Sequence, residues 1–151
     1  MKYLIKSILL SLVLMVSFTA ASQSQDSSHQ TVKSNWEIHH IAFPSTFIQA
    51  NVAKAVGVNR RDTLGLINIS ILDLSVTPKQ PIKLVLSGYA QNLVGQRKTL
   101  SFKEVDEGNA VYYLAELPHA NQETFNIYVT LTDPESGRVE NIKFTQKMWV
   151  D

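Results

Sequence analysis

Leu64-Gly65-Leu66-Ile67-Asn68-Ile69-Ser70-Ile71-Leu72 is the stretch on which the fold is read. In an extended chain successive side chains point to opposite faces, so Leu64, Leu66 and Leu72 share one face while Ile67, Ile69 and Ile71 share the other. Apolar groups on both faces mark a central strand that is covered on each side. The same pattern of short β-branched or aromatic runs repeats outward in both directions. Upstream, Trp36 to Phe43 ends at Pro44, which has no N–H to give to a ladder. Downstream, Ile82 to Tyr89 turns Ile82, Leu84 and Leu86 inward, and Lys98 to Val105 holds Leu100 and Phe102 on one face. Ala110 to Leu117 follows, then Glu123 to Thr132 with Phe125, Ile127, Val129 and Leu131 in strict alternation, and Val139 to Val150 closes the chain.

Turn chemistry separates these runs: Thr77-Pro78-Lys79-Gln80-Pro81, Leu93-Val94-Gly95-Gln96, Asp106-Glu107-Gly108-Asn109 and Asp133-Pro134-Glu135-Ser136-Gly137. About seven short strands with hardly any helix predict an all-β fold, an immunoglobulin-like antiparallel β-sandwich. A barrel of similar strand count is the alternative. The step from Leu114 and Leu117-Pro118 into Phe125 resembles the corner before the sixth strand of fibronectin-type modules, with Phe125 where a tyrosine hydroxyl usually bonds the backbone. One connection is far longer than a sandwich needs. Ser45 to Thr63 contains Asn51 to Val56, a short helical turn with Asn51 as N-cap and Gly57 as C-cap.

The chain begins with the grammar of an export signal. Lys2 and Lys6 form a positive start, Ile8 to Val16 is nearly all apolar, and small residues follow through Ser22. The apolar run is too short to span a bilayer, which needs about 20 residues. Residues 1–21 are therefore read as a cleaved signal peptide, cut after Ala21 or alternatively after Ser22, and no cysteine is present for a lipid anchor. Residues 22–34, polar and rich in Ser and Gln, read as a flexible lead-in, and residues 35–151 as a single domain. This places the working protein in the periplasm without a membrane anchor. The sequence carries 14 basic and 13 acidic residues; losing Lys2 and Lys6 turns the net charge from +1 to −1. No general electrostatic footprint for nucleic acid or for an anionic membrane remains, since both need clustered Lys and Arg.

Candidate chemistry is sparse. His39 and His40 are adjacent on a strand, so they face opposite ways and cannot both ligate one metal without a bulge. His40 shares its face with Trp36, Ile38 and Ala42, which predicts burial; His39 shares a face with Glu37 and Ile41. A copper carrier would need soft ligands, and only Met148 survives signal removal. There is no nucleophile elbow of the form G-x-S-x-G. The sequence thus predicts no catalytic, metal or cofactor-binding residues and no cofactor. The densest polar cluster on a loop is Asn59-Arg60-Arg61-Asp62, where adjacent arginines can clamp a carboxylate or phosphate.

Glu37 to Ile48 (EIHHIAFPSTFI), Val52 to Arg60 (VAKAVGVNR) and Gly65 to Leu72 (GLINISIL) resemble a gammaproteobacterial envelope family catalogued as a domain of unknown function, DUF4426. The resemblance spans nearly all of the exported chain, and its specific part is the first half. It implies a periplasmic, one-domain β-rich protein and no activity. The functional expectation is an exported, non-catalytic binding or accessory module of the envelope. It presents the Ser45 to Thr63 segment to an envelope protein or small ligand, with His39, His40, Thr46, Asn59, Arg60 and Arg61 as the candidate interaction site. The alternatives are a metal-dependent or hydrolytic enzyme using His39 or His40 with Arg60 or Arg61, and a purely structural envelope component.

Overall fold

The structure is a computed structural model and describes residues 29–150. The predicted signal peptide and residues 22–28 of the lead-in lie outside the described residues. Ten strands follow in order: β1 (Gln30–Lys33), β2 (Trp36–Pro44), β3 (Leu64–Asp73), β4 (Gln80–Pro81), β5 (Val85–Asn92), β6 (Arg97–Leu100), β7 (Lys103–Asp106), β8 (Val111–Pro118), β9 (Glu123–Thr132) and β10 (Val139–Met148). A 3-10 turn (Ser45–Phe47) and helix α1 (Ala50–Val56) lie between β2 and β3. One sheet runs β1-β2-β3-β8-β7 with the short β4 also on β3, and the other runs β10-β9-β5-β6. Every pairing is antiparallel. Setting β1 and β4 aside, this is the A-B-E-D and G-F-C-C′ order of the immunoglobulin arrangement.

The core lies between the sheets. Ile67, Ile69 and Ile71 of β3 face Phe125, Ile127, Val129 and Leu131 of β9, and all are buried. Each such side chain contributes about 1.5–3 kcal/mol through removal from water. The opposite face of β3 has its own cover. Leu64 and Leu66 pack under Ala53 and Val58, with Phe43, Ile48 and Val56 around them. The long connection is thus the lid of a second small core, which is why β3 is apolar on both faces. Gly88 sits where β5 crosses β9, and a Cβ there would run into the backbone carbonyl of Tyr128. Tyr113 of β8 ties the sheets together: its hydroxyl accepts the Leu84 N–H at 2.8 Å and donates to Glu104 at 3.4 Å.

Four expectations need correction. Gln30–Lys33, read as lead-in, is strand β1, paired with Trp36 to His39; an edge strand needs little apolar content, so composition hid it. Residues Gln80–Pro81 add the short β4. Lys98 to Val105 is two strands, because the chain leaves one sheet after Leu100 and joins the other at Lys103. Leu100 and Phe102 still point into the shared core, which preserves the alternation across the break. The N-cap of α1 is Gln49 rather than Asn51, since the Gln49 carbonyl accepts the first helical hydrogen bond, from Ala53, at 2.9 Å. Gly57 ends the helix at φ 75°, a left-handed conformation that glycine adopts without strain.

The strands give the sandwich two ends. The loop end carries the β2–β3, β5–β6 and β8–β9 connections and the residues after β10. The turn end carries the β1–β2, β3–β5, β7–β8 and β9–β10 connections.

Candidate functional site

Among the described residues β1 and β10 are the outer strands on one flank of the sandwich. There β1 pairs with β2 as far as His39, with one more bond from the His40 N–H to the His29 carbonyl at 2.9 Å. Alternation then turns the Ala42 N–H and C=O toward that same side, past the end of β1. On the facing sheet β10 pairs with β9 alone among the described residues. Among those residues both sheets finish along this flank, in β1 and β10.

Side chains close the seam at its turn end and at mid-height. Near the turn end the Arg138 guanidinium lies 3.8 Å over the Trp36 ring and donates to Asn35 Oδ1 at 2.7 Å, to the Lys33 carbonyl at 2.8 Å and to Glu140 at 2.9 Å. At mid-height His40 stacks on Phe144, ring centroids 4.4 Å apart, and its Nε2 meets Thr31 Oγ1 at 3.1 Å. Burial pushes the His40 pKa down, with His29 and His39 adding to the shift. Its Nδ1 makes no hydrogen bond among the described residues.

Below His40 the seam opens into a groove of about 570 Å³ lined by Ile41, Phe43, Pro44, Phe47, Met148 and Trp149. Phe47 is 69% exposed and Trp149 50%. The groove is mainly apolar, and the Lys147 ammonium lies 4.3 Å over the Trp149 ring at its rim.

The residues singled out in the sequence fall into separate places. His40 is in the seam, as described. His39 faces outward, where its Nε2 meets Glu37 Oε1 at 2.8 Å while Lys79 donates to Glu37 Oε2 at 2.7 Å. Lys79, first, and His39 hold the Glu37 carboxyl below its usual range against the opposing effect of burial. In the long connection Arg60 donates to the Thr46 carbonyl at 2.8 Å. Ser45 Oγ donates to the Arg61 carbonyl and accepts the Arg61 N–H, both at 3.0 Å. Asn59 and Arg60 line a small hollow beside α1. The connection thus brings Thr46, Asn59, Arg60 and Arg61 together, but the cavity of about 220 Å³ against His39 and His40 is lined by neither arginine. Among the described residues no group of three His, Cys, Asp or Glu is placed to hold a metal ion. His119 lies elsewhere, buried beside Gly65 with its Nδ1 near the Ala120 carbonyl at 3.0 Å.

Sequence reasoning missed Phe47, Met148 and Trp149, the groove's own residues. The available signal was an aromatic after a strand-ending proline and a second one after the last strand. Only the fold joins segments so far apart in the chain.

Residues 30–151 match the family model of DUF4426, a domain of unknown function. The chain belongs to the DUF4426 family. A crystal structure of a DUF4426 family protein from Pseudomonas aeruginosa PAO1 is similar to it at 28% identity, with a TM-score of 0.70, covering 81% of this chain and 94% of that one. A search of curated proteins gives no match. The DUF4426 assignment agrees with the resemblance carried by the His39-His40 strand and the Gly57-Val58 turn.

Proposed function

We propose that this DUF4426 protein is an exported, non-catalytic binding module of the cell envelope, and that its binding surface is the loop end of the sandwich with the adjoining seam groove. The observation that carries the reading is the distribution of exposed apolar groups. Among the described residues, every exposed large hydrophobic side chain other than a valine lies at this end or along the groove: Ile41, Phe47, Leu93 and Trp149. Exposed aromatics beside a strand edge are a feature of recognition surfaces. The separation of His39 from His40, and of both from Arg60 and Arg61, leaves an enzyme reading without a convergent site. The amino-terminal Lys2, Lys6 and apolar Ile8 to Val16 support export.

A photo-crosslinking residue placed at Phe47, and separately at Glu135 on the turn end, tests the surface in living cells. Adducts confined to the Phe47 position are the expected result. Equal labelling at both positions, or none at either, would remove the loop end as the binding surface. Cell fractionation with amino-terminal sequencing tests the export step, for which a start at residue 22 or 23 is expected.

A further inference from the structure

The loop end combines two properties that the rest of the surface keeps apart. The first is protruding apolar groups. Leu93 and Val94 form the tip of the β5–β6 hairpin and are 76% and 81% exposed, where a tip is normally polar. In the register of β5, β9 and β10, Asn92 lies opposite Phe125 and Glu123 opposite Met148. The tip and Trp149 therefore leave the sheet at nearly the same level, about 10 Å apart across two strand spacings. Phe47 joins Trp149 across the groove.

The second property is charge. Taking the connections at this end with the last two residues of each strand that meets them, the loop end holds Lys54, Arg60, Arg61, Arg97, Lys98 and Lys147 against Asp62 and Glu123 among the described residues. Counted the same way, the turn end holds Glu37, Asp73, Asp106, Glu107, Asp133, Glu135 and Glu140 against Lys33, Lys79, Lys83 and Arg138, a moderate acidic excess. The basic character continues upward along one face. Outward-facing positions of β5, β6, β9 and β10 carry Arg97, Lys143 and Lys147 and no carboxylate.

From these two properties together we infer that the loop end docks on an anionic phospholipid bilayer, with Leu93, Val94, Phe47 and Trp149 entering the interface and the basic side chains among the phosphates. The inference rests on the reading of the loop end as the binding surface and names what it binds. The projecting Leu93-Val94 tip beside the groove walled by Phe47 and Trp149 suits a deformable medium, whereas a protein partner would have to match both the tip and the groove. Cations around them complement an anionic headgroup layer, and a tryptophan beside a lysine suits the boundary between lipid and water. The acidic turn end is repelled by the same surface, which fixes the orientation of the molecule on it.

The test uses the exported protein and vesicles of phosphatidylglycerol or of phosphatidylcholine. Sedimentation should show binding to phosphatidylglycerol at least about tenfold stronger than to phosphatidylcholine, and weakening with salt. Trp36 is buried and Trp149 half exposed, so the tryptophan emission should shift to the blue on binding, and Trp149→Phe should abolish the shift. The double variant Leu93→Ser, Val94→Ser should lose about tenfold or more in binding at an unchanged melting temperature. Absence of binding to phosphatidylglycerol, or full binding by the double variant, would overturn the inference. Protein adducts at Phe47 together with no vesicle binding would overturn it while leaving the proposed function standing. Loss of both results would overturn the two together.

Discussion

The turn end and the loop end are made by the same strands, yet their charged side chains behave differently. At the turn end charges meet one another: Lys83 with Glu104 at 3.0 Å and Asp106 at 2.5 Å, Lys79 with Glu37 at 2.7 Å, and Arg138 with Glu140 at 2.9 Å. The pairs hold Asp106 below its usual carboxylate range, chiefly through Lys83, and raise Lys83 in turn. At the loop end the ion pair among the described residues is Lys98 with Glu123 at 3.8 Å. One end pairs its charges with one another, whereas at the other Arg60, Lys98 and Lys147 donate to uncharged oxygens and Arg97 lies over the Tyr89 ring. Antibody variable domains bind antigen with their B–C, C′–C″ and F–G loops. Here the B–C and F–G positions fall on the turn end, where Asp73 and Asp133 tie back their own loops. Sharing an arrangement of strands has not meant sharing a binding end.

The sharpest break of this comparison is Arg138→Ala. It removes the guanidinium from the Trp36 ring and from three oxygen partners at once, and should cost about 2–3 kcal/mol of stability in urea denaturation. A loss no larger than that of a loop-end substitution would show that the seam is not fastened there. Tyr113→Phe comes next, at about 1–2 kcal/mol, because the Leu84 N–H loses its acceptor while remaining in the interior.

The pH dependence of stability concerns the middle of the seam. The folded pKa of His40 lies below its ordinary value near 6.5. As pH falls below about 6.5 the unfolded chain takes up a proton that the folded chain resists, so stability declines, whereas above that value both forms are neutral and the effect vanishes. Melting temperatures from pH 7 to 5 should show this slope, and His40→Gln should flatten it. Glu37 acts lower: its depressed pKa stabilises the fold above its ordinary 4.5 and that contribution is lost only as pH drops further. The smallest effect is expected at the loop end. Phe47→Ser and Leu93→Ser should each change stability by no more than about 0.5 kcal/mol, since neither side chain is part of a core.

Elements with a buried face were legible in the sequence, and elements defined by their neighbours were not. The two-faced apolar pattern of Leu64 to Leu72 announced a covered central strand, and the alternation from Phe125 to Leu131 announced its partner across the core. β1 is a polar edge that only pairing reveals. The step between sheets after Leu100 is silent because both sheets turn the same face to one core. For the candidate site, the arginine-bearing connection was visible as excess length. Its seam groove was not, because Pro44 to Phe47 and Met148 to Trp149 become adjacent only when two sheet edges meet. The buried His40 was visible as a polar residue in an apolar stripe, whereas the equally buried His119, on a loop, was not.

The step between sheets at Ser101 and Phe102 also decides how the molecule can be divided. A cut in the exposed β5–β6 tip would leave β1 to β5 on one fragment and β6 to β10 on the other. The first fragment owns β2 and β3 of one sheet but only β5 of the other, and β5 belongs between β9 and β6 of the second fragment. Neither half contains a complete sheet: the second fragment lacks β5 from between β9 and β6, and the first lacks β8 and β7 beside β3. Such fragments are complementary by construction, so the fold lends itself to a split reporter that regains its core only when the two pieces meet.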